Sequence, residues 1–295
     1  MRYANAAVLM VLAFAASAPA APAPKYTSFD VPGADSTIAW EINAHSQIVG
    51  QTNTSGVQRG FLKHGHTFKL IHVPGSTQTL AFGINDRGEV VGTFDNHAFL
   101  MDGENFTSFD GPNAGYTQAN GINARGQIVG YFQSSISPQG THGFLKDGNT
   151  IRVIDVPGSR ATFLYGINNR GEIVGIFSDG MSGVNRGFLM HGDRVVIIEI
   201  PGATQTAPSG INDRGQIVGL VYNTTGVHGF LRDPDGTVVT LDVPGALGTE
   251  ARGISASGKV VGDWGDGKAV HGFEVHLREH EDSDIRDRDE ERERH

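Results

Sequence analysis

The 295-residue sequence contains no cysteine, so disulfides, thiolate metal ligands and a cysteine nucleophile are excluded together. It also lacks a basic excess: 23 Lys and Arg stand against 32 Asp and Glu, a formal net charge of −9. That balance argues against nucleic acid as a partner, since a phosphate backbone calls for a basic face. Beyond the first twenty residues there is no apolar run approaching the roughly 20 residues that a bilayer-spanning helix needs. No helical period appears anywhere between residues 26 and 275. G-x-S-x-G elbows, phosphate loops and zinc helix motifs are all missing.

The two ends read differently from the body. Residues 1–20 carry Arg2, an apolar run from Ala6 to Ala16, and Ala18 and Ala20 at the −3 and −1 positions before Ala21. That pattern predicts a secretory signal peptide and a secreted or periplasmic mature chain, with a retained membrane anchor as the competing reading. At the other end, residues 277–295 form a charged tail with no means of building a core. From Arg278 onward it holds nine acidic and five basic residues and one aliphatic, Ile285. A solvated, disordered tail is expected, against the alternative of a polyelectrolyte that touches a surface or binds cations. An exported chain without disulfides must be held by burial alone, and about 275 residues suffice for a full core.

Between these ends the chain repeats. "GINARGQIVG" at 121–130 returns as "GINDRGEVVG" at 83–92, "GINNRGEIVG" at 166–175 and "GINDRGQIVG" at 210–219. Worn copies, "EINAHSQIVG" at 41–50 and "GISASGKVVG" at 253–262, bring the number to six. A second landmark keeps phase at Gly60-Phe61, Ala98-Phe99, Gly143-Phe144, Gly187-Phe188, Gly229-Phe230 and Gly272-Phe273. A third is "DVPG" at 30–33, 155–158 and 242–245, with variants at 72–75, 110–113 and 199–202. In the third copy these landmarks bound four strands, predicted at about Gln118–Asn123, Gln127–Phe132, His142–Lys146 and Thr150–Val156. Asn-x-x-Gly and Asp-Gly supply the hairpin turns, and Pro157 ends the fourth strand.

Four strands in each of six repeats predict an all-β chain: a six-bladed β-propeller of four-stranded blades over residues 21–276. "QIVGYF" and "EIVGIF" are apolar at consecutive positions, as strands covered on both faces should be. The last repeat ends at "HGFEV", 271–275, without a fourth strand, whereas "KYTSFDVPG" at 25–33 is a fourth strand without a blade. The N-terminal strand is therefore expected to close the last blade. An open solenoid is the competing architecture, and it needs capping units that the sequence does not show.

These landmarks resemble the HAF-type bacterial extracellular repeats, named for a His-Ala-Phe tripeptide that occurs literally at His97-Ala98-Phe99 and elsewhere as His-Gly-Phe or Arg-Gly-Phe. The resemblance spans residues 26 to 275. It implies an exported, propeller-like protein, and it implies no activity.

Most polar residues that attract the eye repeat, and repetition argues for structure. The Asn of the opening motif suits turn chemistry. The acidic residue before "VPG" (Asp30, Asp110, Asp155, Glu199, Asp242) is read as bonding within its own strand-to-loop turn rather than as a carboxylate ring for a cation. His97, His142, His228 and His271 share a slot with Arg59 and Arg186, which favours a common structural bond. No metal and no cofactor are expected. What varies is the connection from strand two to strand three, whose span from Gly to Phe runs from 7 to 14 residues. Variable insertions gather on one face, often the binding face. Aromatics recur at that rim, and Phe132, Phe177, Tyr222 and Trp264 are the candidate ligand contacts, with the loops 133–141 and 178–185. Glu41 replaces the Gly of "GIN" beside Trp40 and is the one inward oddity.

The resulting expectation is a monomeric, non-enzymatic module that binds an extracellular or envelope polysaccharide or protein on the variable rim. The alternative is a hydrolase or lyase acting on an envelope sugar or lactone at the channel mouth.

Overall fold

The computed structural model describes residues 24–136, 140–179 and 185–277. The expected signal peptide at 1–20, the expected tail at 277–295 beyond its first residue, and parts of both candidate loops (137–139 and 180–184) lie outside the described residues. Every regular element described is a β-strand. Tyr26–Phe29 (β1) comes first. Unit one follows as Ser36–Ile42 (β2), Gln47–Thr54 (β3), Val57–His64 (β4) and Thr67–Ile71 (β5). Unit two is Thr79–Ile84 (β6), Val90–Phe94 (β7), His97–Asp102 (β8) and Asn105–Phe109 (β9). Unit three is Ala114–Ile122 (β10), Ile128–Ser134 (β11), Thr141–Asp147 (β12) and Thr150–Ile154 (β13). Unit four is Ala161–Ile167 (β14), Glu172–Ser178 (β15), Asn185–His191 (β16) and Arg194–Ile198 (β17). Unit five is Gln205–Ile211 (β18), Ile217–Asn223 (β19), Gly226–Arg232 (β20) and Val238–Leu241 (β21). Unit six has three consecutive strands, Gly248–Ile254 (β22), Lys259–Gly265 (β23) and Val270–His276 (β24).

Within each unit the strands pair antiparallel in chain order. Unit six takes its fourth strand from the other end of the chain: β1 pairs antiparallel with β24, from Tyr26 opposite Val275 to Phe29 opposite Gly272. The first strands touch in series, β2 with β6, β6 with β10, and so on to β22, which touches β2.

The repeated landmarks each have a packing reason. The Gly that ends "VVG" lies opposite the Phe of strand three in every unit, as Gly130 does to Phe144. A Cβ on Gly130 would lie 2.0 Å from the Gln118 carbonyl oxygen and 2.9 Å from the Phe144 ring, so only glycine fits. The six phenylalanines (61, 99, 144, 188, 230, 273) are at most 1% exposed. Phe144→Ala should therefore cost about 3–5 kcal/mol, read as a lower urea midpoint. A loss below about 1 kcal/mol would show that this ring is not a core anchor.

The turn asparagines do more than turn. The Asn123 carboxamide oxygen accepts from the Arg125 and Gln127 amides, while its nitrogen donates 3.1 Å to the Asn168 carbonyl of the next unit. Asn43, Asn85, Asn168 and Asn212 donate likewise to the following unit. The series stops at Ser255, where Lys259 instead reaches Ser46 of unit one. The acidic residues before "VPG" pair with the strand-three histidines: His97 with Asp110, His142 with Asp155, His228 with Asp242, and His271 with Asp30 across the termini. A buried Thr six residues beyond each "VPG" valine or its equivalent caps that residue's amide, as Thr37 does for Val31.

Candidate functional site

Side chains two apart along a strand share a face, so alternate residues of each first strand form columns. Each first strand carries a β-bulge at equivalent positions, between Ala39 and Glu41 in unit one and between Ala119 and Gly121 in unit three. A bulge leaves one residue unpaired and re-aims its side chain. Those residues are Trp40, Phe82, Asn120, Tyr165, Ser209 and Arg252, one from each unit, and together with Glu41 they line one central pocket. The residue after the bulge is Gly in five units. A Cβ on Gly121 would meet the Tyr165 carbonyl at 2.9 Å and the Gly166 Cα at 3.3 Å, and the other four glycines are as tightly placed. Glu41 is the exception, seated against Gly253.

The central pocket is aromatic and charged at once. The Trp40 and Phe82 rings meet edge-on at 5.1 Å, and the Arg252 guanidinium lies 4.0 Å from the Trp40 centroid. Arg252 donates 2.5 Å to Asp263 and 2.6 Å to Glu250. Burial pushes the Asp263 carboxyl up from its ordinary value, opposed by the adjacent Arg252. Glu41 keeps some surface open yet is enclosed by protein on nearly all sides. That desolvation pushes its carboxyl up to about 8, against the lowering effect of hydrogen bonds from the Ile42 and Ile254 backbone. Glu41 also borders a second pocket, lined by the Ile-Asn turn segments of five units and by Ile254 and Ser255 of unit six, so it stands between the two.

One unit departs further from the repeat. The first strand of unit three is the longest described, and it carries a second bulge between Ala114 and Tyr116. Tyr116 and Tyr131 then face each other with ring centroids 6.1 Å apart. Both hydroxyls donate to the Gln118 carboxamide oxygen, at 2.6 and 3.0 Å. Gln118 donates 2.7 Å to Asn120, whose nitrogen donates 2.8 Å to the Leu164 carbonyl. A chain of hydrogen bonds thus runs from the tyrosines to the central pocket. Around the pair lies an open cleft lined by Asn96, Gly115, Tyr116, Tyr131, Gln133, Ser134 and Ser135. At the positions of Tyr116, Gln118 and Tyr131, unit one carries Ser36, Ile38 and Gln51.

The expected contacts fall elsewhere. Phe132 is 3% exposed, its ring packed under Gly111 and beside His142, so it presents almost no surface for a ligand to touch. Phe177 is partly buried against Phe188. Trp264 stacks on His271 at 4.7 Å and donates to the Ser28 hydroxyl, an attachment to β1. Tyr222 is 40% exposed and lines neither pocket. Of the five, only Glu41 lines any of the three pockets described above. Gln133, Ser134 and Ser135 of the expected 133–141 loop line the cleft, whereas Tyr116, Gln118 and Tyr131 were missed. The signal was present as three polar aromatic or amide residues at alternate, non-repeating positions of one copy. Among the described residues no cluster of three His, Asp or Glu side chains is placed to hold a metal ion. No described helix is long and apolar enough to cross a membrane.

Solved structures share this architecture. A putative gluconolactonase superposes with a TM-score of 0.52 at 13% identity, covering 88% of this chain and 94% of its own. The chain has a β-propeller-like fold. TolB from Acinetobacter baumannii gives a TM-score of 0.51 at 13% identity, covering 82% of this chain and 63% of its own. A triple arginine-to-alanine mutant of AofleA from Arthrobotrys oligospora gives 0.51 at 13% identity, covering 86% and 87%. A propeller-like fold at such identity carries no activity across with it. No protein-family model matches the sequence, and no curated protein matches it.

Proposed function

We propose that the chain is an exported binding module, a closed six-bladed propeller whose ligand sits on the face where strand two turns to strand three. Closure is supported by the contact of β22 with β2 and by β1 supplying the fourth strand of unit six. Export is supported by the N-terminal sequence pattern. The observation that carries the binding reading is the departure of unit three from its own repeat. Six copies act as internal controls: where all agree, each repeated side chain has a structural partner, and Tyr116, Gln118 and Tyr131 fill no repeated role. Titrating the full chain with envelope polysaccharides and with proteins of the exported fraction tests this. A ligand at 100 times its Kd should add about 2.7 kcal/mol of stability. Gln133→Ala, which weakens binding about tenfold, should cut that gain to about 1.4 kcal/mol without moving the ligand-free melt, and an unchanged gain would remove this face from consideration.

A second reading has its own support. Glu41 lines the central pocket with Tyr165, Ser209 and Arg252, and a carboxyl raised to about 8 is a proton donor at neutral pH. This favours a hydrolase or lyase acting on a sugar or lactone. Glu41→Gln should then abolish turnover of such substrates while the protein stays folded. Turnover that survives the substitution would remove Glu41 from any mechanism.

A further inference from the structure

We infer that the Tyr116–Tyr131 cleft takes an uncharged saccharide. The inference rests on the binding-module reading and adds the ligand's chemical class and the groups that select it. The cleft offers two aromatic surfaces, two hydroxyls and two carboxamides, and no ionisable group other than the tyrosines lines it. An aromatic ring provides an apolar platform with a polar edge, which suits a pyranose: C–H bonds on its faces and hydroxyls around its rim. Exposed Asn96 and Gln133 supply donors and acceptors together, and Ser134 and Ser135 add hydroxyls. Both tyrosine hydroxyls are held above their ordinary pKa, mainly by burial, so they stay neutral; each spends its proton on Gln118 and offers its lone pairs to a sugar hydroxyl.

The charge pattern sets the class. A uronate or an ammonium sugar bound here would surrender hydration with no opposite charge in the cleft to replace it. A neutral sugar loses only hydrogen bonds that the lining can restore.

The site is also built before the ligand arrives. Tyr131 packs edge-on against Phe163 at 4.9 Å, and its hydroxyl and that of Tyr116 share the Gln118 acceptor. Gln118 is in turn fixed through Asn120 to the Leu164 carbonyl of unit four. Ring orientation therefore costs no ordering entropy on binding. Gly115 lies against Ser135, where a Cβ would sit 2.6 Å from the Ser135 oxygen, so the second bulge and the loop start are fitted to each other.

The test titrates the full chain by calorimetry with neutral gluco- and galacto-oligosaccharides, oligouronates and glucosamine oligomers, and with an exported-fraction protein pool. A neutral saccharide should bind saturably, and its charged counterparts at least tenfold more weakly. Gln133→Ala, which removes an exposed side chain, and Tyr131→Phe, which keeps the ring, should each weaken binding by about tenfold. Tighter binding of a charged oligosaccharide, still sensitive to Gln133→Ala, would overturn the neutral class and leave the site reading standing. Neutral binding insensitive to both variants would overturn the cleft itself. Saturable binding of a protein alone, or no binding in any arm, would overturn the saccharide inference; only the second of these also counts against a binding module.

Discussion

A chain lacking residues 25–31 is expected to lose about 4–6 kcal/mol of stability and to aggregate on warming. The deleted segment includes all of β1, whose pairing gives unit six its fourth strand. Val31 is 6% exposed in a core with Ile42, Ile48 and Phe61. The Tyr26 ring meets the Phe273 edge at 5.6 Å, and the Phe29 ring covers Gly272 and lies under Lys63. Full burial of such side chains contributes about 1.5–3 kcal/mol each, and Tyr26 and Phe29 are only partly buried, which sets the range. The same deletion removes Asp30 from His271 and Ser28 from Trp264. It also exposes the backbone of β24 as a free edge, the template on which chains pair with one another. Urea unfolding with light scattering reads both effects. An unchanged midpoint would show that β1 is an ornament rather than the closing strand. Grafting residues 25–33 behind His276 through an Asp-Gly turn should recover most of the loss, because Tyr26 lies opposite Val275 and the strand-three hairpin would be rebuilt.

The fold was legible because its unit is written six times, and that same regularity concealed the candidate site. Reading the third copy by its shared landmarks places its first strand from Gln118, whereas the strand begins at Ala114. The four residues left out include Gly115 and Tyr116, where the second bulge lies. A bulge has no periodic signature, so a period-based reading passes over it. The choice of Phe132 has a different cause. In "IVGYF" (128–132) no position is charged or carries an amide, and alternation is hidden. Yet Tyr131 and Phe132 point to opposite faces, and a one-residue difference exchanges cleft for core. Phe132 packs with Ile128 and Phe144, while Tyr131 meets Tyr116. The histidines and the carboxylates before "VPG" were readable as structural, since Arg59 and Arg186 share the slot. Their mutual pairing required coordinates: the partners lie 13 or 14 residues apart in the chain, and 241 apart for His271 and Asp30.

Glu41 is the other departure from the repeat that was visible in sequence, and its cost in stability should be measurable. Where five units place Gly, unit one places a carboxyl that burial raises from 4.5 to about 8. A raised carboxyl stabilises the folded form relative to the unfolded one only while both are protonated. Between pH 4.5 and 8 the unfolded chain gives up this proton and the folded chain keeps it, so stability falls as pH rises. The slope is about 1.4 kcal/mol per pH unit at most, and the full loss approaches about 5 kcal/mol at pH 8 and above. Glu41→Gln is nearly isosteric, keeps an oxygen that accepts from the Ile42 amide, and has no proton to lose. The variant should match the parent near pH 4.5 and exceed it increasingly through pH 6, 7 and 8 in urea unfolding. A constant difference across that range would mean that Glu41 titrates in the fold as it does in the unfolded chain. A widening one would show a buried acid kept at a standing cost where Gly serves every other copy. That cost is what a functional group would carry, and a merely tolerated substitution would have no reason to persist at it.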